Sequence, residues 1–138
     1  MGNIRFGWAA IVFGAFAGAS AVAADDVVGK QLYDRYCASC HGASGDGHGP
    51  ASSALAGLLQ VDVPNITRLA EANDGVFPML EIIHVIDGRT GIRAHGGTMP
   101  VWGTVFSTEV DDLGIYGSTI ETRGRVLSLA LYLESIQR

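Results

Sequence analysis

Apolar residues recur at helical spacing along most of this chain, so its regular elements are expected to be helices. A first helix is expected from a cap at Asp26 to about residue 37, with Val28, Leu32 and Tyr36 as its apolar stripe. Gly29 and Tyr33 fall on an adjacent stripe. Glycine inside a helix costs stability, so Gly29 marks a close approach to another helix. Residues 51–64 are small and apolar and predict only a short helical turn. Asn65 or Thr67 can cap a short helix through about Ala72, which Asn73-Asp74-Gly75 breaks. Pro78 suits the first turn of a further helix with Met79, Leu80, Ile82, Ile83 and Ile86 as apolar positions and Gly88 as its stop. Residues 107–118, with Glu109, Asp111 and Asp112, predict a long solvated connection. Ser118 or Thr119 then caps a last helix to about residue 136, with Val126, Leu129, Leu133 and Ile136 on one stripe and Tyr132 beside it. The pattern is all-α, without repeats, low-complexity runs or a second domain.

Composition changes this picture mainly at the N-terminus. Residues 6–24 carry no charge, Arg5 precedes them, and Ala21-Val22-Ala23-Ala24 offers a small-residue cleavage region before Asp25-Asp26. That is the order of a secretory signal peptide, which makes 1–24 the signal and 25–138 the mature domain. The rival is an uncleaved membrane anchor, but the stretch is rich in Ala and Gly rather than in Leu and Ile. The 138 residues suffice for one domain with a core around a buried cofactor. Net charge is −5 and becomes −6 once Arg5 is removed, so there is no basic footprint for nucleic acid.

The chemistry concentrates in Cys37-Ala38-Ser39-Cys40-His41, which contains both cysteines of the chain. C-x-x-C-H is an attachment site for c-type haem. Two thiols three residues apart on a helical turn share a face and can add to two vinyl groups of one porphyrin, while the adjoining imidazole reaches the iron. A thioredoxin-like pair would sit near a βαβ pattern, and no strand-rich stretch surrounds this one. Zinc needs further ligands, usually a second such pair, and a disulfide across so short a loop adds little stability. The glycine-rich run 42–50 has neither a preceding strand nor a Gly-Lys-Ser/Thr end, which excludes a phosphate loop. It is expected to fold tightly against the haem edge, with the Pro50 carbonyl available to accept the second N–H of a ligating histidine.

Downstream, Met99 lies in a loop between glycines and Pro100, where a soft thioether can reach iron. The alternatives are His95 or His48 as ligand, or an open site. Met79 belongs to an apolar stripe and is read as core, and His84 as a half-buried surface histidine. Arg89 and Arg93 can pair haem propionates bidentately, and the Trp102 indole N–H is a further donor.

Taken together, Gly29-Lys30-Gln31-Leu32-Tyr33, C-A-S-C-H-G at 37–42, G-x-G-x-G-P at 45–50, V-I-D-G-R at 85–89, G-T-M-P-V-W-G at 97–103 and L-x-x-Y-L at 129–133 resemble a class I monohaem bacterial cytochrome c. The resemblance spans essentially the whole mature chain. It implies N- and C-terminal helices crossing each other around a haem c held covalently through Cys37 and Cys40. It further implies iron bound by His41 and Met99, with the Pro50 carbonyl accepting from His41. The function it implies is one-electron transfer in the periplasm between redox-partner proteins such as a dehydrogenase, an oxidase or a cytochrome complex, with no enzymatic activity, no nucleic acid and no stable membrane insertion after cleavage. The alternatives are a haem enzyme or gas-binding sensor with a labile methionine, for which His95 offers a distal group, and a fixed cytochrome subunit of a larger oxidoreductase.

Overall fold

The computed structural model describes residues 22–88 and 99–138. Six α-helices carry the architecture, and no strand occurs among the described residues. They are α1 (Val22–Tyr36), α2 (Ala38–His41), α3 (Ser52–Leu59), α4 (Met79–Asp87), α5 (Trp102–Glu109) and α6 (Gly114–Ser135). Single 3-10 turns at Ile66–Arg68, Glu71–Asn73 and Asp111–Leu113 join them. The first and last helices pack across each other, and α4 and α5 lean on the same long α6. This is the all-α arrangement expected.

The crossing is made possible by one residue. Gly29 is buried, and a methyl group there would collide with the Ser128 carbonyl oxygen and come within 2.7 Å of Tyr132 Cβ. Backbone therefore meets backbone at this point, as the glycine inside the helical pattern implied. Around the crossing lie Tyr33, Phe106, Val126, Leu129, Ala130, Tyr132 and Leu133, with Ile66 and Ile86 closing the core. The Tyr33 and Tyr132 rings sit 5.2 Å apart, tilted at 51°. The Tyr33 hydroxyl, fully buried, donates to the Gly42 carbonyl at 2.6 Å, and burial raises its pKa so that it stays a donor.

The chain end is stitched to the middle of the molecule. Gln137 donates from Nε2 to the Ile66 carbonyl at 2.9 Å and accepts from the Ala70 N–H at 3.0 Å, and the Arg138 N–H reaches the Thr67 carbonyl at 2.9 Å. Asn65 caps the turn it precedes, taking the Thr67 N–H at 2.9 Å, one of the two caps the sequence offered. Gly88, at φ 80°, ends α4 where expected. Met79 packs against the core, also as expected.

Four local expectations are corrected. Helix α1 is already under way at Val22, so Asp26 lies inside it rather than at its cap. Its buried face is Gly29 and Tyr33, whereas Val28 is exposed and Leu32 and Tyr36 are half-buried. Periodicity marks stripes, but which stripe goes inward depends on where α6 can approach, and only Gly29 permits that approach. Residues 52–59 form two turns of helix rather than one, although none of their side chains is buried. The supposed solvated connection 107–118 is largely helical: α5 runs to Glu109, a 3-10 turn follows, and α6 begins at Gly114, ahead of Ser118. Three acids, two glycines and the exposed Leu113, Ile115 and Tyr116 leave no apolar stripe there, which makes composition alone read as loop.

Candidate functional site

The C-A-S-C-H segment forms a turn continuous with α1. The Cys37 N–H bonds the Tyr33 carbonyl at 2.8 Å and the His41 N–H bonds the Cys37 carbonyl at 2.9 Å, so Cys37 both closes α1 and opens the short α2. Cys37, Cys40 and His41 consequently face one cavity of about 460 Å3. Leu55, Val61, Val63, Pro64, Met99, Pro100, Trp102 and Tyr36 supply most of the remaining wall, with Gln60 and Asp62 as its polar part. A concave, mostly apolar chamber with few polar groups is what a flat macrocycle requires. Both thiols are unpaired. Burial, then the neighbouring Cys40, pushes the Cys37 thiol up to about 12, which is the opposite of what thiol redox catalysis needs.

The glycine-rich run acts on this turn from behind. The Gly49 N–H reaches the Cys40 carbonyl at 3.1 Å and the Ala51 N–H the Ser39 carbonyl at 2.9 Å. A Cβ at Gly49 would strike the Ser39 carbonyl oxygen. The run therefore packs on the protein's own backbone, where a haem edge was expected. Pro50 is left exposed and does not line the cavity.

The carbonyl expected at Pro50 is supplied by Pro64. His41 Nδ1 lies 3.3 Å from the Pro64 oxygen. A carbonyl can only accept, so this contact selects the tautomer with the proton on Nδ1 and the lone pair on Nε2. Gly47, at φ 88°, makes the contact possible: its N–H bonds the His41 carbonyl at 2.8 Å while its open side lies against Val63 and Pro64. Ile66 N–H to the Gly45 carbonyl, at 2.8 Å, ties the two segments together. The signal available in the sequence was Pro64 directly before the Asn65 cap, a rigid residue anchored by a turn.

Met99 and Trp102 both line the cavity with His41. His48 does not: its side chain is 86 % exposed and sits beside Asp46, whose carboxyl is held below its usual range by the His48 N–H and the Ser44 hydroxyl. His84 is half-buried on α4 and also lies outside the cavity wall. Arg89, Arg93 and His95 lie outside the described residues. Sequence reasoning missed Tyr36 and the 60–64 segment as parts of the wall. Tyr36 precedes Cys37 directly, but its helical spacing with Val28 and Leu32 suggested core only.

The model of the Cytochrome c family matches residues 27–112. No curated protein and no solved structure gave a match. With that match and this fold, the chain belongs to the cytochrome c family, as a class I c-type cytochrome and a haem-binding electron-transfer protein. Its cofactor is a covalent haem c with iron. The cavity fits that group: two thiols and an imidazole on one turn, a thioether within the same wall, and apolar surface between them. No helix among the described residues is long and apolar enough to cross a membrane.

Proposed function

We propose that this protein is an exported, freely diffusing carrier of one electron, in which Cys37 and Cys40 would hold the haem as thioethers and His41 and Met99 would ligate its iron. The observation that carries this reading is the presence of Met99 in the same cavity wall as the C-A-S-C-H turn. When bound, haem c supplies a single reversible electron at its iron. The chain's own residues do the rest. Pro64 orients His41 and keeps its proton on Nδ1. Leu55, Val61, Val63 and Trp102 exclude water, and a thioether favours reduced iron, so both raise the potential. Two ligands held by the protein leave little to rearrange when the electron moves.

Export to the periplasm is supported by the charge pattern and small-residue end of residues 1–24, and by the need for free thiols to meet haem outside the cytoplasm. Partners are redox proteins, and a processed carrier of net charge −6 favours those with a basic docking patch. Small, weak interfaces suit repeated turnover.

The test is the absorption spectrum of the exported holoprotein, oxidised, reduced, and reduced with carbon monoxide. Low-spin haem, a sulfur–iron charge-transfer band and indifference to carbon monoxide are expected, and Met99→Ala should abolish the band. A high-spin spectrum, or ready carbon monoxide binding by the unaltered protein, refutes Met99 ligation and turns attention to gas binding or peroxidase chemistry.

A further inference from the structure

We propose that Glu109 is a positioning residue for the haem site: from outside the cavity it fixes Tyr36 and, through α5, the place of Met99. The inference rests on the reading of Met99 as iron ligand.

Tyr36 ends α1 immediately before Cys37, and its ring lines the cavity beside Trp102. The Tyr36 ring lies 5.2 Å from both the Trp102 and the Phe106 rings, which are themselves 5.9 Å apart. One wall of the cavity is thus an aromatic cluster shared by α1 and α5. Ring pairs accept offset or edge-to-face arrangements over a range of centroid distances, so they alone leave room for one helix to slide along the other. The hydrogen bonds outside the cluster do not. The Tyr36 hydroxyl is shared between the two Glu109 oxygens at 3.0 and 2.8 Å. Glu109 is the last residue of α5, two turns beyond Trp102, so this bond sets the position of α5 along α1.

Helix α6 holds the carboxylate from the other side. Arg125 donates from Nη1 to Glu109 at 2.9 Å and from Nε to Glu121 at 2.9 Å, while its guanidinium covers the Phe106 ring at 5.7 Å. Arg35 covers Tyr36 at 5.1 Å. Tyr36 and Arg125 together hold Glu109 ionised, below the usual carboxylate range. Among the described residues, Glu109 thus bonds groups on both α1 and α6 from α5. Met99 stands three residues before Trp102, linked through Pro100, whose ring restricts the backbone. Where α5 begins decides where the thioether can lie. Glu109 and Arg125 are a third and a fifth exposed, so their bonds contribute little to global stability, and their effect is on the geometry of the site.

The test uses the full-length holoprotein with Glu109→Ala and Tyr36→Phe, and Glu71→Gln as a control in an exposed ion pair remote from the cluster. Imidazole is titrated into the oxidised form, where it must displace Met99, and the sulfur–iron band is followed. Both variants should bind imidazole roughly 3- to 10-fold more tightly than the unaltered protein, the range of an ordinary hydrogen bond, because partial exposure screens the charge. The double variant should gain no more than Glu109→Ala alone, because Tyr36→Phe removes a contact that Glu109→Ala has already removed. Glu109→Gln, which still accepts from Tyr36, should recover part of the loss. A purely structural role would lower the melting temperature with imidazole affinity unchanged, and that result overturns the proposal. Should Glu109→Ala not accumulate, Tyr36→Phe, which keeps the ring, decides the matter alone. An unaltered protein without the band overturns Met99 ligation and this proposal with it; a normal band with unchanged affinity in the variants overturns this proposal only.

Discussion

Replacing Gly29 by alanine sets two effects of opposite sign against each other. Alanine is favoured over glycine inside a helix by about 1 kcal/mol. The added methyl, however, would run into the Ser128 carbonyl oxygen and approach Tyr132 Cβ to 2.7 Å and the Ser128 carbonyl carbon to 2.9 Å. None of these atoms can escape by changing rotamer, so α1 and α6 must separate at their crossing. Overpacking of this kind costs roughly 1–3 kcal/mol, and rigid backbone as the obstacle places it at the upper end. The net loss should be about 2 kcal/mol, a fall of roughly 8 °C in Tm for a domain of this size. Gly124 provides the internal comparison, since a Cβ there meets nothing within 4 Å and α6 is otherwise continuous around it. Gly124→Ala should gain up to about 1 kcal/mol. Guanidinium unfolding of both holoproteins, followed by helical circular dichroism, measures the pair. If Gly29→Ala proves as stable as the parent protein, the close backbone approach at this crossing is refuted.

Tyr33→Phe keeps the ring packing against Tyr132 but removes the 2.6 Å bond to the Gly42 carbonyl. That carbonyl also accepts the Gly45 N–H at 3.2 Å, so it is not orphaned, and the loss should stay near 1 kcal/mol in the same unfolding assay. Acid should destabilise the protein slightly, in a defined window, since both carboxylates responsible are solvent-screened. Glu109 and Asp46 have folded pKa values below their unfolded ones, so the stability they add is present above the unfolded values and lost as pH falls through the folded ones. A pH series of unfolding midpoints below the ordinary carboxylate range should show this slope, and Glu109→Ala should flatten it. A slope identical in the variant would show that Glu109 gains nothing from Tyr36 and Arg125.

The sequence by itself determined the helical class, the chemistry of the C-A-S-C-H turn and the tight spot at Gly29. Each of these depends on residues near one another in the chain: a 3.6-residue period, two thiols and an imidazole within one turn, a missing side chain in a helix. Asn65, Gly88 and the core stripe of α6 were legible for the same local reason. What tertiary structure decided was partnership between distant segments. Pro50 and Pro64 both offer a carbonyl, and only the backbone bonds of Gly47 and Gly49 show that Pro64 reaches His41 while Pro50 is turned outward. Val28 and Tyr33 occupy competing stripes, and the approach of α6 selects Tyr33 for burial. Tyr36 looks like any core aromatic until α5 and α6 bring Glu109 and Arg125 to it. A periodic pattern states which residues share a face, but which face is inward, and which polar group meets which, depends on helices that are neighbours in space and remote along the chain.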